Sequence, residues 1–137
     1  MPAVSHRTRV RATPEHLWSL LLNKIERPDQ YIPGVSDVVV EQRADEFTIN
    51  RSMRLNGGAP IRELITADPK TLTVVFKGIG DPATIVLVTN TVYVGDGEVY
   101  LEYVMSGAGG DFDATEAERV IRGAVNHMKE LAERADF

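Results

Sequence analysis

The chain has 137 residues, the size of one domain that buries about two-thirds of its unfolded surface. Its 43% hydrophobic and 26% charged residues exclude a disordered or membrane-embedded chain, and a net charge of −5 argues against broad phosphate or nucleic-acid binding. With no cysteine there is no disulfide framework, thiol nucleophile or thiolate metal site. The first residues lack the apolar stretch of a signal peptide, and no run approaches about 18 apolar residues. The expectation is a cytoplasmic protein, one domain over 1–137, with no membrane insertion and no nucleic-acid partner.

Val4 to Ala12 alternates Val4, His6, Thr8 and Val10 against Ser5, Arg7, Arg9 and Arg11, which predicts a first strand. The three arginines suit an exposed edge. Thr13-Pro14-Glu15 then opens a helix: Thr13 can cap, Pro14 fits the first turn, and Glu15 favours the positive end. Leu17, Leu20, Leu21 and Ile25 form its expected buried stripe, widened by Trp18 and Leu22. A short helical turn follows around Pro28 to Tyr31, and Pro33-Gly34 breaks it.

From Val35 the pattern predicts a meander, with strands at Asp37 to Gln42, Glu46 to Leu55, Pro60 to Ala67, Leu72 to Gly78, Thr84 to Val94 and Glu98 to Ser106. Gly57-Gly58, Asp68-Pro69-Lys70 and Gly95-Asp96-Gly97 supply the turns. Gly107 to Gly110 ends the sheet, and Thr115-x-x-Glu118 has the form of a capping box. Ala117, Val120, Ile121, Ala124, Met128, Leu131 and Ala132 then give a long helix one continuous apolar stripe. The fold class is α+β: a curved antiparallel seven-stranded sheet wrapped around the terminal helix, with two short helices bracing one end. Side chains cannot fill all the space between such a sheet and one helix, so an internal cavity is expected.

One residue breaks the pattern. In Phe47 to Leu55 one face reads Phe47, Ile49, Arg51, Met53 and Leu55, so Arg51 points with the core residues. An unpaired buried guanidinium costs roughly several kcal/mol and needs an acceptor or a wet cavity. A hairpin at Gly57-Gly58 pairing Met53 with Ile61 sets Ile49 opposite Ile65 and Arg51 opposite Glu63. Through a two-residue Pro69-Lys70 turn, Glu63 would face Phe76 and Ile65 would face Val74. The Asp96-Gly97 turn sets Asn90 opposite Tyr103, Val92 opposite Leu101 and Val88 opposite Met105. Arg51, Glu63, Asn90 and Tyr103 thus converge on one concavity, although the same four residues also fit a purely structural buried set.

Three pieces in this order, Thr13-Pro14-Glu15-His16-Leu17-Trp18, Ile32-Pro33-Gly34-Val35 and the strand pattern, resemble the SRPBCC superfamily, the START-like helix-grip fold of polyketide cyclases and plant pathogenesis-related allergens. Within it the chain resembles the AtaL-like branch. The matching segments are Arg27-Pro28-Asp29-Gln30-Tyr31-Ile32-Pro33-Gly34, Arg51 with Arg62-Glu63, Thr89-Asn90, and Asp96-Gly97-Glu98-Val99-Tyr100-Leu101. The resemblance implies a small-molecule pocket and a polyketide-like, aromatic or lipid-like ligand.

The leading expectation is a ligand-binding protein with Arg51 anchoring a ligand oxygen and Asn90 and Tyr103 orienting its ring. Phe47, Ile49, Met53, Ile65, Val74, Phe76 and Met128 would be the hydrophobic walls, with Glu63 beside Arg51. The alternative is a cyclase, dehydratase or isomerase without a cofactor, in which Arg51 stabilises an enolate, Glu63 or His6 moves a proton, and Tyr103 donates to a developing oxyanion. A third reading, a surface interaction module, has no positive support in the residues. His6, His16 and His127 share no ligand spacing, so no metal site is expected. There is no phosphate loop and no Ser-His-Asp arrangement. The oligomeric state is open.

Overall fold

A computed structural model describes residues 3–45, 47–79, 85–108 and 113–134. Its elements are β1 (Ala3–Arg9), α1 (Pro14–Glu26), a single 3-10 turn (Pro28–Gln30), β2 (Val35–Asp45), β3 (Thr48–Leu55), β4 (Ile61–Asp68), β5 (Thr73–Ile79), β6 (Ile85–Gly95), β7 (Glu98–Ala108) and α2 (Ala114–Arg134). All seven strands form one antiparallel sheet in the order β2-β3-β4-β5-β6-β7-β1. Register shifts along β2 bend that edge strand. At the opposite edge, Arg7 and Arg9 of β1 pair with Glu102 and Glu98, and Arg7 stacks on Tyr93 and Tyr100.

Both helices cover the same face of the sheet. Val4, His6 and Thr8 of β1, Leu101, Tyr103 and Met105 of β7, Asn90 and Val92 of β6, Val74 and Phe76 of β5, and Ile49, Arg51 and Met53 of β3 line it. α2 packs over β1 and β7, while α1 lies over β6. The core joins Leu17, Leu21 and Ile25 to Ile65, Val74, Leu101, Ile121, Val125 and Met128.

Local chemistry sets the boundaries. Thr13 caps α1 by accepting from the His16 amide at 3.1 Å, and Pro14 fills the first helical position. Gly34 has φ +85°, and a Cβ there would stand 2.2 Å from Asn56 Oδ1. Only glycine lets the Pro33-Gly34 break close against the β3–β4 turn, where the Asn56 amide donates to the Gly34 carbonyl.

The hairpin registers of β3–β4 and β6–β7 match the expected ones, with Arg51 opposite Glu63 and Asn90 opposite Tyr103. The tight part of the first turn is Asn56-Gly57, both at positive φ, rather than Gly57-Gly58. The β4–β5 register differs by two residues: Glu63 faces Gly78, Ile65 faces Phe76, and Ala67 faces Val74. The turn holds four residues, 69–72, and closes with Leu72 at φ +53° instead of a two-residue Pro69-Lys70 corner.

Two helix details are also corrected. Asp113, not Thr115, caps α2, its carboxylate accepting from the Thr115 and Glu116 amides at 3.0 and 3.1 Å. A carboxylate at the positive helix end outcompetes a hydroxyl two residues inside it. Val120 is 45% exposed and Leu22 39% exposed, whereas Val125 and Lys24 are buried. The α2 stripe therefore runs Ala117, Ile121, Val125, Met128 and Ala132.

Candidate functional site

Arg51 is buried, and its two terminal nitrogens are held from two directions. Nη2 donates to Glu63 Oε1 at 2.6 Å, and Nη1 donates to the carbonyls of Ile25 at 2.8 Å and Lys24 at 3.3 Å. Those carbonyls belong to the last turn of α1, where backbone acceptors have no partner further along the helix. A guanidinium there also meets the negative end of the helix dipole. Arg51 thus caps α1 in space while pairing with the next strand, and its stability follows from both roles.

Lys24 is the residue the sequence reading missed. It falls at i+7 from Leu17 in the series Leu17, Leu21, Lys24 and Ile25, which is the buried face of α1. Alternation and periodicity single out a charge on an apolar face, and that signal was present in α1 as it was in β3. The side chain runs inward to the sheet centre, where Nζ donates to Asn90 Oδ1 and, at 3.1 Å, to the Tyr103 hydroxyl. It sits 4.4 Å from the Tyr103 ring centroid and 5.1 Å from that of Phe76.

The electrostatics of this centre follow from burial. Lys24 is pulled down to about 7, first by desolvation and then by the Arg51 charge, with Glu63 opposing. Desolvation pushes the Tyr103 hydroxyl far above its usual range, and Tyr31 adds to this. Tyr31, also raised by burial, donates to Asn23 Oδ1 at 2.7 Å. Among the described residues, Arg51 Nε and Asn90 Nδ2 are buried donors without a hydrogen-bond partner.

Two clefts take in expected site residues, one against α1 and one on the sheet away from it. One, about 400 Å³, lies between α1 and β3–β4 and takes in Phe47, Ile49 and Ile65. The other, about 500 Å³, lies on the strands β4 to β6 and takes in Ile61, Glu63, Phe76, Ile79, Val86 and Val88. Gly78 stands in its wall opposite Glu63, so no side chain occupies that inner-face position.

The expected site residues therefore divide. Arg51, Glu63, Asn90 and Tyr103 do meet, through Lys24. Glu63 and Phe76 face the larger cleft, and Phe47, 44% exposed, lines the smaller one with Ile49 and Ile65. Val74 and Met128 are packed in the core, and Met53 is buried beside Arg51 on β3. His6 stands opposite Tyr103 on the edge strand, half-buried. Neither cleft includes a residue of α2. Among the described residues, no three His, Asp or Glu side chains gather as a metal site, and no helix is long and apolar enough to cross a membrane.

A seven-stranded antiparallel sheet closed by a long C-terminal helix, with a polar cluster at its concave centre, is a helix-grip protein of the SRPBCC type. The chain belongs to the AtaL family, described as acetylaranotin biosynthesis cluster protein L, which matches residues 2–135. No curated protein sequence matches it. Its fold is similar to that of the ZhuI aromatase/cyclase from Streptomyces sp. R1128, at TM-score 0.69 and 15% identity over 97% of this chain and 94% of that one. It is also similar to the di-domain ARO/CYC StfQ from the steffimycin biosynthetic pathway, at TM-score 0.74 and 15% identity over 96% of this chain and 51% of that one. A third likeness is to Ara h 8.0201, at TM-score 0.71 and 10% identity over 96% and 97% of the two chains.

Proposed function

We propose that the protein binds, in the cytoplasm, a small hydrophobic or aromatic metabolite of polyketide-like or lipid-like character in the cleft on β4 to β6. The observation that carries this reading is the cleft itself. It is about 500 Å³, walled by Ile61, Phe76, Ile79, Val86 and Val88, with the Glu63 carboxylate in its wall and Gly78 leaving an inner-face position empty. A mostly apolar hollow with a few fixed polar groups is the usual form of a small-molecule site. Similarity to aromatase/cyclases supports the ligand class.

Equilibrium binding of 2-naphthol, with native mass spectrometry of the freshly purified protein, tests it. The expected result is a one-to-one complex that Gly78→Leu abolishes. A Cβ at Gly78 meets only Val86, at 3.5 Å or more, so the substitution fills the cleft rather than breaking the sheet. A protein that carries nothing, and takes up naphthol no better than its Gly78→Leu variant, would overturn the reading.

A second reading, a cofactor-independent cyclase, dehydratase or isomerase, is favoured by the unpartnered donors Arg51 Nε and Asn90 Nδ2. Such donors, buried and already oriented, suit an enolate oxygen. Formation of an aromatic ring from a linear poly-β-ketone, followed by absorbance, checks this. Glu63→Gln should abolish turnover and spare binding, and surviving turnover removes Glu63 as the base.

A further inference from the structure

Lys24 has surroundings that a structural lysine does not need. A buried lysine kept for stability ends on a carboxylate, but the carboxylate in reach, Glu63, is already held by Arg51. The two acceptors of Lys24 Nζ are neutral, an amide oxygen and a phenol. Two acceptors match the two N–H bonds of an uncharged amine. The groups that face it are Arg51 from β3, Glu63 from β4, Phe76 from β5, Asn90 from β6 and Tyr103 from β7, and repulsion from Arg51, which outweighs the attraction of Glu63, opposes a second positive charge.

A second observation is independent of the amine. Asn90, whose oxygen accepts from Lys24, has an Nδ2 that is buried and without a partner. A buried, unpartnered N–H donor on the side chain next to a nucleophile suits a carbonyl oxygen that it can polarise. Phe76 joins this centre to the outside: its ring lies 5.1 Å from Nζ and also lines the larger cleft.

We propose that Lys24 is a carbonyl-condensing amine, which forms an imine with an aldehyde or ketone on a hydrophobic or aromatic guest entering across Phe76. This rests on the cleft as the binding site. The Nζ lone pair forms the bond to the carbonyl carbon, and the carbonyl π pair moves to oxygen, held by Asn90 Nδ2. The two amine protons pass to that oxygen, with the Tyr103 hydroxyl as the adjacent relay. The carbon–oxygen bond then breaks, water leaves and the C=N bond forms. Nothing is oxidised or reduced, and the balance is carbonyl plus amine to imine plus water. Desolvation of Lys24 keeps the amine in the form that the first step uses.

The test is reductive trapping on the whole chain. Protein at neutral pH is treated with 2-naphthaldehyde and sodium cyanoborohydride, then mapped by peptide mass spectrometry. The adduct on Lys24 should form at least tenfold faster than on Lys70, Lys77 or Lys129, although these three are the more accessible lysines. Label confined to those three and the amino terminus would overturn the proposal. Asn90→Leu should slow labelling of Lys24 at least tenfold and leave Lys70 unchanged; an unchanged Lys24 rate overturns the role of Asn90. Gly78→Leu should protect Lys24, and undiminished labelling there overturns the route across Phe76. Binding of 2-naphthol, which cannot form an imine, separates the two readings. Naphthol bound with Lys24 unlabelled removes the imine alone, whereas naphthol unbound removes the cleft as well.

Discussion

Arg51 donates to the carbonyl of Ile25 at 2.8 Å, so a residue of β3 closes the end of a helix 26 positions earlier in the chain. The buried guanidinium at the centre of the sheet is therefore explained by two structural duties, the helix end and Glu63.

Replacing Arg51 by Met should destabilise the fold by about 3 kcal/mol, because Glu63 loses its counter-ion and two α1 carbonyls lose their donor. The double variant with Glu63→Gln should recover part of the loss. Urea unfolding of the single and double variants measures both terms.

Lys24 gives stability a pH dependence of definite sign. Its folded value of about 7 lies below the unfolded 10.5, so between them the unfolded chain binds more protons than the folded one. Stability then rises with pH across this window, and below it the penalty of burying the ammonium is fully present. Compared with Lys24→Met, the wild type should gain a few kcal/mol, on the order of 3, between pH 7 and 9.5. Unfolding free energies of the pair across that range test this; parallel curves would refute it.

Two glycines should respond in opposite directions. Gly34→Ala places a Cβ at 2.2 Å from Asn56 Oδ1 with φ at +85°, and should cost about 2 kcal/mol or more. Gly123 lies on the exposed face of α2, where a methyl group would meet nothing within 4 Å, so Gly123→Ala should stabilise by about 0.5–1 kcal/mol. Thermal unfolding reads both.

The cap of α2 distinguishes Asp113 from Thr115. Asp113→Ala should cost about 1 kcal/mol, while Thr115→Ala should change stability by no more than a few tenths. Equal losses would return the cap to Thr115.

Much of the fold was legible because alternation and turn chemistry act locally. Asn50 and Ser52 against Arg51 and Met53 fixed the faces of β3, and Asp96-Gly97, both at positive φ, fixed the register of β6 on β7. The β4–β5 turn was not legible in the same way. Leu72 adopts φ +53° despite a side chain that disfavours it, so tertiary pairing overrode local preference and lengthened the corner. The site was legible as four residues from strands. Its fifth member was legible only in part: the spacing of Leu17, Leu21, Lys24 and Ile25 carried the signal, but Lys24 ordinarily reads as a solvated helix position and Leu22 as a buried one. Which of them turns inward depends on where α1 lies across the sheet, and that depends on contacts far apart in sequence.

Lys24 is fastened at both its ends. Its carbonyl is held by Arg51 from one flank of the sheet, and its amine reaches β6 and β7 on the other. α1 is consequently a crossbar stitched to both flanks, unable to lift as a flap without undoing both seams together. A guest bound as proposed would pass along the strand rim, with the crossbar staying put.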